Sequence, residues 1–136
     1  MEATCVIGID VSKDTLAIAV HPSGEAWTCA TDPAALEALI ARVMMLRPTL
    51  VVCEATGGYE MPLAAACAAA GVPLAIVNPR QVRAFAQALG QLAKTDAIDA
   101  TVLALFAERV APPARPVPDA ATQALAMKQL REQGLT

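Results

Sequence analysis

Four carboxylates in this sequence have the chemistry and spacing needed to hold divalent metal ions. Asp10 interrupts the apolar run V-I-G-I-D-V, and Glu54 ends the run L-V-V-C-E. Asp96 and Asp99 lie close together in K-T-D-A-I-D. A carboxylate in an apolar strand is costly unless it is paired, hydrogen-bonded or bound to a metal. In a chain that is 56% hydrophobic, a shared cation site is the simplest explanation for all of these acids.

Oxygen ligands of this kind favour a hard cation, Mg²⁺ or Mn²⁺, over zinc. Two such ions about 4 Å apart can activate a water or hydroxyl on one side of a phosphodiester and stabilise the leaving oxygen on the other. Basic residues are also available near the acids. The candidates for contact with a nucleic-acid backbone are Lys13, Arg80, Arg83 and Lys94.

Each acid taken alone also has a purely structural explanation. The pattern D-A-I-D is typical of a helix start with an acid in the first turn. Glu54 can be solvated in a loop, and Asp10 can cap a strand end. The T-G-G-Y that follows Glu54 resembles a phosphate-binding loop only faintly and is more typical of a tight turn. The metal hypothesis is favoured because it explains all four acids together: their order along the chain can build one site.

Composition sets broad limits on the function. The 136 residues suffice for one domain, and a net charge of −3 argues against a broadly basic nucleic-acid binder. The four cysteines are far apart and are predicted to be small buried hydrophobic residues, and the single histidine, His21, lies in a predicted turn, so zinc is not indicated. Unpatterned thiols, with no signal peptide and no bilayer-length apolar run, predict a cytoplasmic protein without a membrane partner.

The elements that must position the acids follow the order β-β-β-α-β-α-β-α-α, which predicts an α/β fold with a mixed sheet and helices on both faces. A meander followed by a right-handed crossover puts the fourth strand beside the first, so Asp10 and Glu54 approach one ion from strands about 4.8 Å apart. The predicted strands are residues 4–10, 15–20, 25–30, 50–53 and 73–77. The first predicted helix begins at residue 32, and the other three span residues 61–70, 81–89 and 96–109.

The end of the chain differs in composition from the rest. Four prolines within residues 111–118 predict a linker, because no helix can pass through them. Residues 119–136 show a weak amphipathic pattern, which is typical of the start of a helical segment. We therefore predict a catalytic domain over residues 1–110, a linker over 111–118 and a truncated helical segment over 119–136.

Four ordered motifs resemble the N-terminal domain of the DEDD transposases of bacterial insertion sequences, a family that includes the pilin-gene invertase and the bridge-RNA-guided recombinases. The resemblance covers about residues 4–118 and rests on G-I-D-V-S-K-D-T-L, C-E-A-T-G-G-Y-E, N-P-R-Q-V-R-A-F-A and L-A-K-T-D-A-I-D-A. It implies a RuvC-like, RNase H-like fold with a five-stranded sheet. It also implies a metal-binding quartet for Mg²⁺ or Mn²⁺, made of Asp10, Glu54, Asp96 and Asp99.

The same resemblance implies DNA cleavage and strand exchange during transposition, with a structured guide RNA as a second candidate partner and a homo-oligomeric working form. Family members continue through long helices into a second domain that supplies a serine thought to attack DNA. The only serines here are Ser12 and Ser23, in other contexts. We therefore expect a fragment or the product of a truncated gene, which binds metal but does not complete recombination alone.

Two other functions are compatible with the sequence. One is a catalytically silent remnant that only binds nucleic acid or dimerises. The other is a phosphotransferase of the actin and sugar-kinase type, whose first strand also carries an aspartate near a hairpin. That fold usually needs two such domains, and G-I-D-V-S-K lacks the usual glycine-rich turn, so the metal-dependent transposase domain is the leading hypothesis.

Overall fold

A computed structural model of the chain describes residues 5–90 and 98–114. The described elements follow the predicted order and are β1 (Val6–Val11), β2 (Thr15–His21), β3 (Ala26–Ala30), α1 (Pro33–Leu46), β4 (Leu50–Glu54), α2 (Met61–Ala70), β5 (Leu74–Val77), α3 (Pro79–Ala88) and α4 (Ala100–Val110). None of the helices in this described part is long and apolar enough to cross a bilayer.

The five strands form one mixed sheet in the order β3-β2-β1-β4-β5. The first three strands are an antiparallel meander, whereas β4 is parallel to β1 and β5 is parallel to β4. The predicted position of the fourth strand beside the first is confirmed. In this pairing, Gly8 lies opposite Val52 and Ile9 lies opposite Cys53.

Helix α1 illustrates how local sequence determines an element. Asp32 is the N-cap, its Oδ1 accepts a hydrogen bond from the Ala35 N–H at 2.9 Å, and Pro33 opens the helix with a preset φ. The helical spacing of apolar residues correctly predicts the buried face, which consists of Leu36, Leu39, Ile40 and Val43. Capping and periodicity agree here, so the helix begins where the sequence predicts.

The two faces of the sheet are covered by different helices. On one face, α1 and α2 pack over alternate strand residues that include Ile7 and Ile9. On the other face, α3 and α4 pack over a cluster that includes Val6 and Val52. Because side chains alternate along a strand, residues 8 and 10 of β1 and residue 54 of β4 share this second face.

Two helices begin at different residues from those predicted. Helix α3 begins at Pro79, because Oδ1 of Asn78 accepts a hydrogen bond from the Arg80 N–H at 2.8 Å and caps the helix there. Helix α4 begins at Ala100 and not near Asp96, because the extended backbone of Asp99 makes that residue the cap. Of the predicted linker, residues 111–114 are described and lie outside any helix.

The cysteines occupy apolar surroundings. Cys53 and Cys67 are buried, Cys5 and Cys29 are half-buried, and none of them forms a disulfide. Burial raises the pKa of Cys53 to about 12, with smaller contributions from Cys67 and nearby acids, and raises the pKa of Cys67 to about 11. The two buried thiols therefore behave as packing groups and stay protonated at neutral pH.

Candidate metal centre

Three of the four predicted acids lie at one end of the sheet. Asp10 is the last residue but one of β1, Glu54 is the last residue of β4, and Asp99 caps α4. Continuing the register of the β1–β4 pair by one residue beyond Ile9 and Cys53 puts Asp10 beside Glu54. Asp96, the fourth predicted acid, lies outside the described residues.

Asp99 has a structural role as well as a candidate chemical one. Its Oδ1 accepts a hydrogen bond from the Val102 N–H at 2.9 Å and so satisfies a backbone donor at the start of α4. This bond holds the carboxylate at the helix N-terminus, where the helix dipole favours a negative charge. The position of Asp99 is therefore determined by how α4 packs on the sheet.

The pKa values show that these acids act on one another. Burial raises the pKa of Asp10, and the nearby charge of Asp99 raises it further. Burial likewise raises the pKa of Glu54, the charge of Asp10 adds to that effect, and the guanidinium of Arg83 opposes it. Asp10 thus couples electrostatically to both of the other acids.

The donor chemistry fits a hard divalent cation. Every described member of the group is a carboxylate, and a bound cation would offset both the repulsion and the desolvation that raise the pKa values. Within residues 5–90 and 98–114, however, no three acidic, histidine or cysteine side chains already lie in a metal-holding arrangement. The described residues therefore provide neighbouring carboxylate ligands without a closed cage.

An open pocket of about 330 Å³ lies next to Glu54. Its lining includes Arg80 and Arg83, so two of the predicted basic residues lie beside a predicted acid. Lys13 is exposed in the turn between β1 and β2, at the end of the strand that carries Asp10. Lys94 is outside the described part of the chain.

Glu60 was not singled out from the sequence, yet it organises the loop that follows Glu54. It is 7% exposed, and its carboxylate accepts hydrogen bonds from the N–H groups of Thr56 and Gly58, each at 3.1 Å, and from the Thr56 hydroxyl. Burial acts to raise the pKa of Glu60, but these hydrogen bonds and one to its own N–H lower the pKa overall.

This arrangement clarifies the T-G-G-Y segment. Gly57 and Gly58 have φ values of 86° and 140°, which a side chain would strain. The N–H groups of Thr56 and Gly58 donate their hydrogen bonds to the Glu60 carboxylate. The segment is therefore a turn closed by Glu60, and these two N–H groups already have a partner. The acid four residues after Thr56 in E-A-T-G-G-Y-E is the sequence signal that could have identified this role.

The chain is similar to known proteins in sequence and in fold. The family model DEDD_Tnp_IS110, described as Transposase, matches residues 7–135. No curated protein matches the sequence. A structure of RuvC from T. thermophilus in complex with a Holliday junction substrate is similar over 85% of this chain and 100% of that chain, with a TM-score of 0.55 and 21% identity.

A second Thermus thermophilus RuvC structure is similar over 84% of this chain and all of that chain, with a TM-score of 0.50 and 22% identity. At these identities the likeness concerns the fold. It confirms the predicted RuvC-like architecture, in which a mixed five-stranded sheet is flanked by helices.

Proposed function

Because the chain belongs to the DEDD_Tnp_IS110 transposase family, whose model matches residues 7–135, we propose that it provides the metal-dependent catalytic centre for phosphodiester cleavage and strand exchange on DNA during transposition of an insertion sequence. The observation that carries the proposal is the placement of Asp10 beside Glu54 on one face of the sheet, with Asp99 close enough to raise the pKa of Asp10. We assign Asp10, Glu54, Asp96 and Asp99 as the metal ligands.

Each group of residues has a defined task in this proposal. Asp10, Glu54, Asp96 and Asp99 would hold the cation, with Asp10 and Glu54 at the ends of β1 and β4. A bound Mg²⁺ or Mn²⁺ would polarise the phosphodiester and lower the pKa of an attacking water or hydroxyl. Arg80 and Arg83, in the pocket beside Glu54, bind the phosphates of the DNA strand and orient it.

DNA is the proposed substrate because the family is one of transposases. The similar RuvC structure contains a Holliday junction substrate, which makes branched DNA a sensible first substrate to test. A structured guide RNA and a homo-oligomeric working form are further parts of the proposal that family membership supports.

Titration calorimetry with Mn²⁺ tests the metal site directly. We expect Asp10→Asn and Glu54→Gln each to weaken Mn²⁺ binding by about tenfold or more, because each removes a charged ligand. Asp14→Asn is the matched control, since Asp14 is an exposed acid in the neighbouring turn and its loss leaves the affinity unchanged. Wild-type affinity in both ligand variants would refute the assignment.

Cleavage is tested separately on a labelled four-way DNA junction. Nicking that requires Mn²⁺ or Mg²⁺ and is lost in Asp10→Asn supports the proposed chemistry. The alternative candidate is a silent nucleic-acid-binding or dimerisation module. Junction binding without cleavage, unchanged in Asp10→Asn, would support that candidate.

A further inference from the structure

Gly8, in the middle of β1, is in direct contact with the backbone of α4. A Cβ atom at this position would lie 2.2 Å from the Ala100 carbonyl oxygen, 2.4 Å from the Ala104 nitrogen and 2.8 Å from the Leu103 Cβ. Real Cβ atoms essentially never approach other atoms this closely. The backbone of Gly8 is ordinary strand, so the position needs glycine for space and not for an unusual φ.

Small residues surround this contact on both sides. Gly8 pairs across the sheet with Ala19, and Ala19 packs with Ala100 and Ala104 of the helix. All are buried or lack a side chain, so nothing flexible separates α4 from β1 and β2. The distance between helix and sheet is therefore set by backbone contact.

The two acids that this contact connects lie immediately beside it. Asp10 is two residues after Gly8 on the same face of β1, and Asp99 is the residue before Ala100. The atom that a Gly8 side chain would meet first is the carbonyl oxygen of Ala100. A displacement of α4 at this point would therefore move Asp99 relative to Asp10.

We propose that Gly8 is a positioning residue for the metal centre: it lets α4 approach β1 closely enough for Asp99 and Asp10 to serve one cation. This inference rests on the proposed function. Gly8 touches no substrate and supplies no ligand. Its effect is transmitted through the backbone of α4, which has no side chain that can rotate away at the points of contact.

Mn²⁺ calorimetry on Gly8→Ala tests this inference. The added methyl group must push α4 outward, so we expect the Mn²⁺ dissociation constant to rise by about tenfold or more while circular dichroism still shows a folded protein. Leu39→Ala is the control, because Leu39 is buried against the opposite face of the sheet and its truncation destabilises the protein without touching α4. Its Mn²⁺ affinity should stay within about twofold of wild type.

The outcomes separate the inference from the function on which it rests. If wild type binds Mn²⁺ through Asp10 and folded Gly8→Ala binds it equally well, Gly8 has no positioning role and the metal site stands. Equal losses in Gly8→Ala and Leu39→Ala would also refute the inference, since stability alone would then explain both. If wild type binds no Mn²⁺, the proposed function itself fails. Should Gly8→Ala not fold, Ala19→Val, which enlarges the neighbouring contact with α4, replaces it with the same expectations.

Discussion

Asp10 and Glu54 carry negative charges in places that oppose folding. Both have a raised pKa, first because burial disfavours the charge and then because of a neighbouring acid. An acid with a raised folded-state pKa destabilises the fold at any pH above that pKa, and the penalty disappears as the pH falls below the unfolded-state value. Without a metal, the protein is therefore less stable at neutral pH than it would be without these two charged acids.

We therefore expect Asp10→Asn to be more stable than wild type in a chelator at neutral pH, while losing the stabilisation that Mn²⁺ gives to wild type. The gain should be about a few tenths of a kcal/mol, because a half-exposed charge is screened by water. Thermal unfolding followed from neutral pH to about pH 4, near the unfolded pKa of aspartate, should show the two proteins converging. A less stable Asp10→Asn at neutral pH would contradict this expectation.

The pKa of Glu60 is shifted in the opposite direction from those of Asp10 and Glu54. Its pKa is lowered by hydrogen bonds that prefer the charged form, so it contributes stability above the unfolded pKa of glutamate, about 4.3, and this contribution is lost as the pH falls through the lower folded-state pKa. Glu60→Gln keeps the size of the side chain but loses the charge-assisted hydrogen bonds. We expect a cost of about 1–3 kcal/mol at neutral pH in urea unfolding.

The exposed Glu37 on α1 provides the matched control for that substitution. Glu37→Gln should leave the free energy of unfolding unchanged within about 0.5 kcal/mol. If Glu60→Gln unfolds at the same urea concentration as Glu37→Gln, the hydrogen bonds in the loop do not stabilise the protein.

At the scale of elements, the N-cap of α4, Asp99, is also a candidate metal ligand. Asp32 and Asp99 are both N-caps whose Oδ1 accepts a backbone hydrogen bond at 2.9 Å, and the charge of Asp99 also raises the pKa of Asp10. Asp32→Ala should cost about 1 kcal/mol through the lost cap. Asp99→Ala loses the same kind of cap but also relieves repulsion with Asp10, so we expect a smaller cost.

Substitutions of Asp99 and Asp32 should affect Mn²⁺ binding in the opposite order from stability. Asp99→Asn keeps a side chain that can cap α4 and removes the charge, so it should preserve stability and weaken Mn²⁺ binding, whereas Asp32→Ala should leave binding intact. Urea unfolding and calorimetry on the same protein samples give both quantities. Full Mn²⁺ affinity in Asp99→Asn would show that this carboxylate is a cap and no more.

Some element boundaries and strand neighbours could be predicted from the sequence, and others could not. The bounds of α2, the start of α1 and the placement of β4 beside β1 could be predicted, because periodicity, capping and crossover handedness act locally or follow general rules. The start of α4 could not be predicted reliably, because Asp96 and Asp99 both have the chemistry of an N-cap. Only packing on the sheet selects between them.

For the candidate site, the predictable part is the position of the acids at strand ends. Apolar runs mark the strands, and Asp10 and Glu54 stand out within or after them. The roles of Gly8 and Glu60 were not predicted, for different reasons. Gly8 depends on a contact with a helix more than ninety residues away, and Glu60 depends on the turn geometry of two glycines.

For the whole molecule, a net charge of −3 means that any DNA-binding surface must be local. Arg80 and Arg83 form the basic side of the pocket beside Glu54. We expect Arg80→Ala and Arg83→Ala each to weaken binding to a DNA junction and to reduce the slope of log affinity against log salt by about 1. Fluorescence anisotropy over a range of salt concentrations measures both effects.

Arg109 supplies the control for those variants. It lies in the last turn of α4, about 15 Å along the helix from Asp99 at a rise of about 1.5 Å per residue. Arg109→Ala should leave both the affinity and the salt slope as they are in wild type. Equal losses in all three arginine variants would indicate a diffuse electrostatic attraction and not a defined contact beside Glu54.

The positions of the four thiols give the protein an internal reporter of unfolding. Cys5 and Cys29 are partly open to solvent, whereas Cys53 and Cys67 are enclosed with a pKa of about 12 and about 11. A brief pulse of alkylating reagent should therefore modify the first pair in the native protein and reach the second pair only when the sheet opens. Since Cys53 directly precedes Glu54, mass spectrometry of its peptide would time the exposure of the strand that carries this acid.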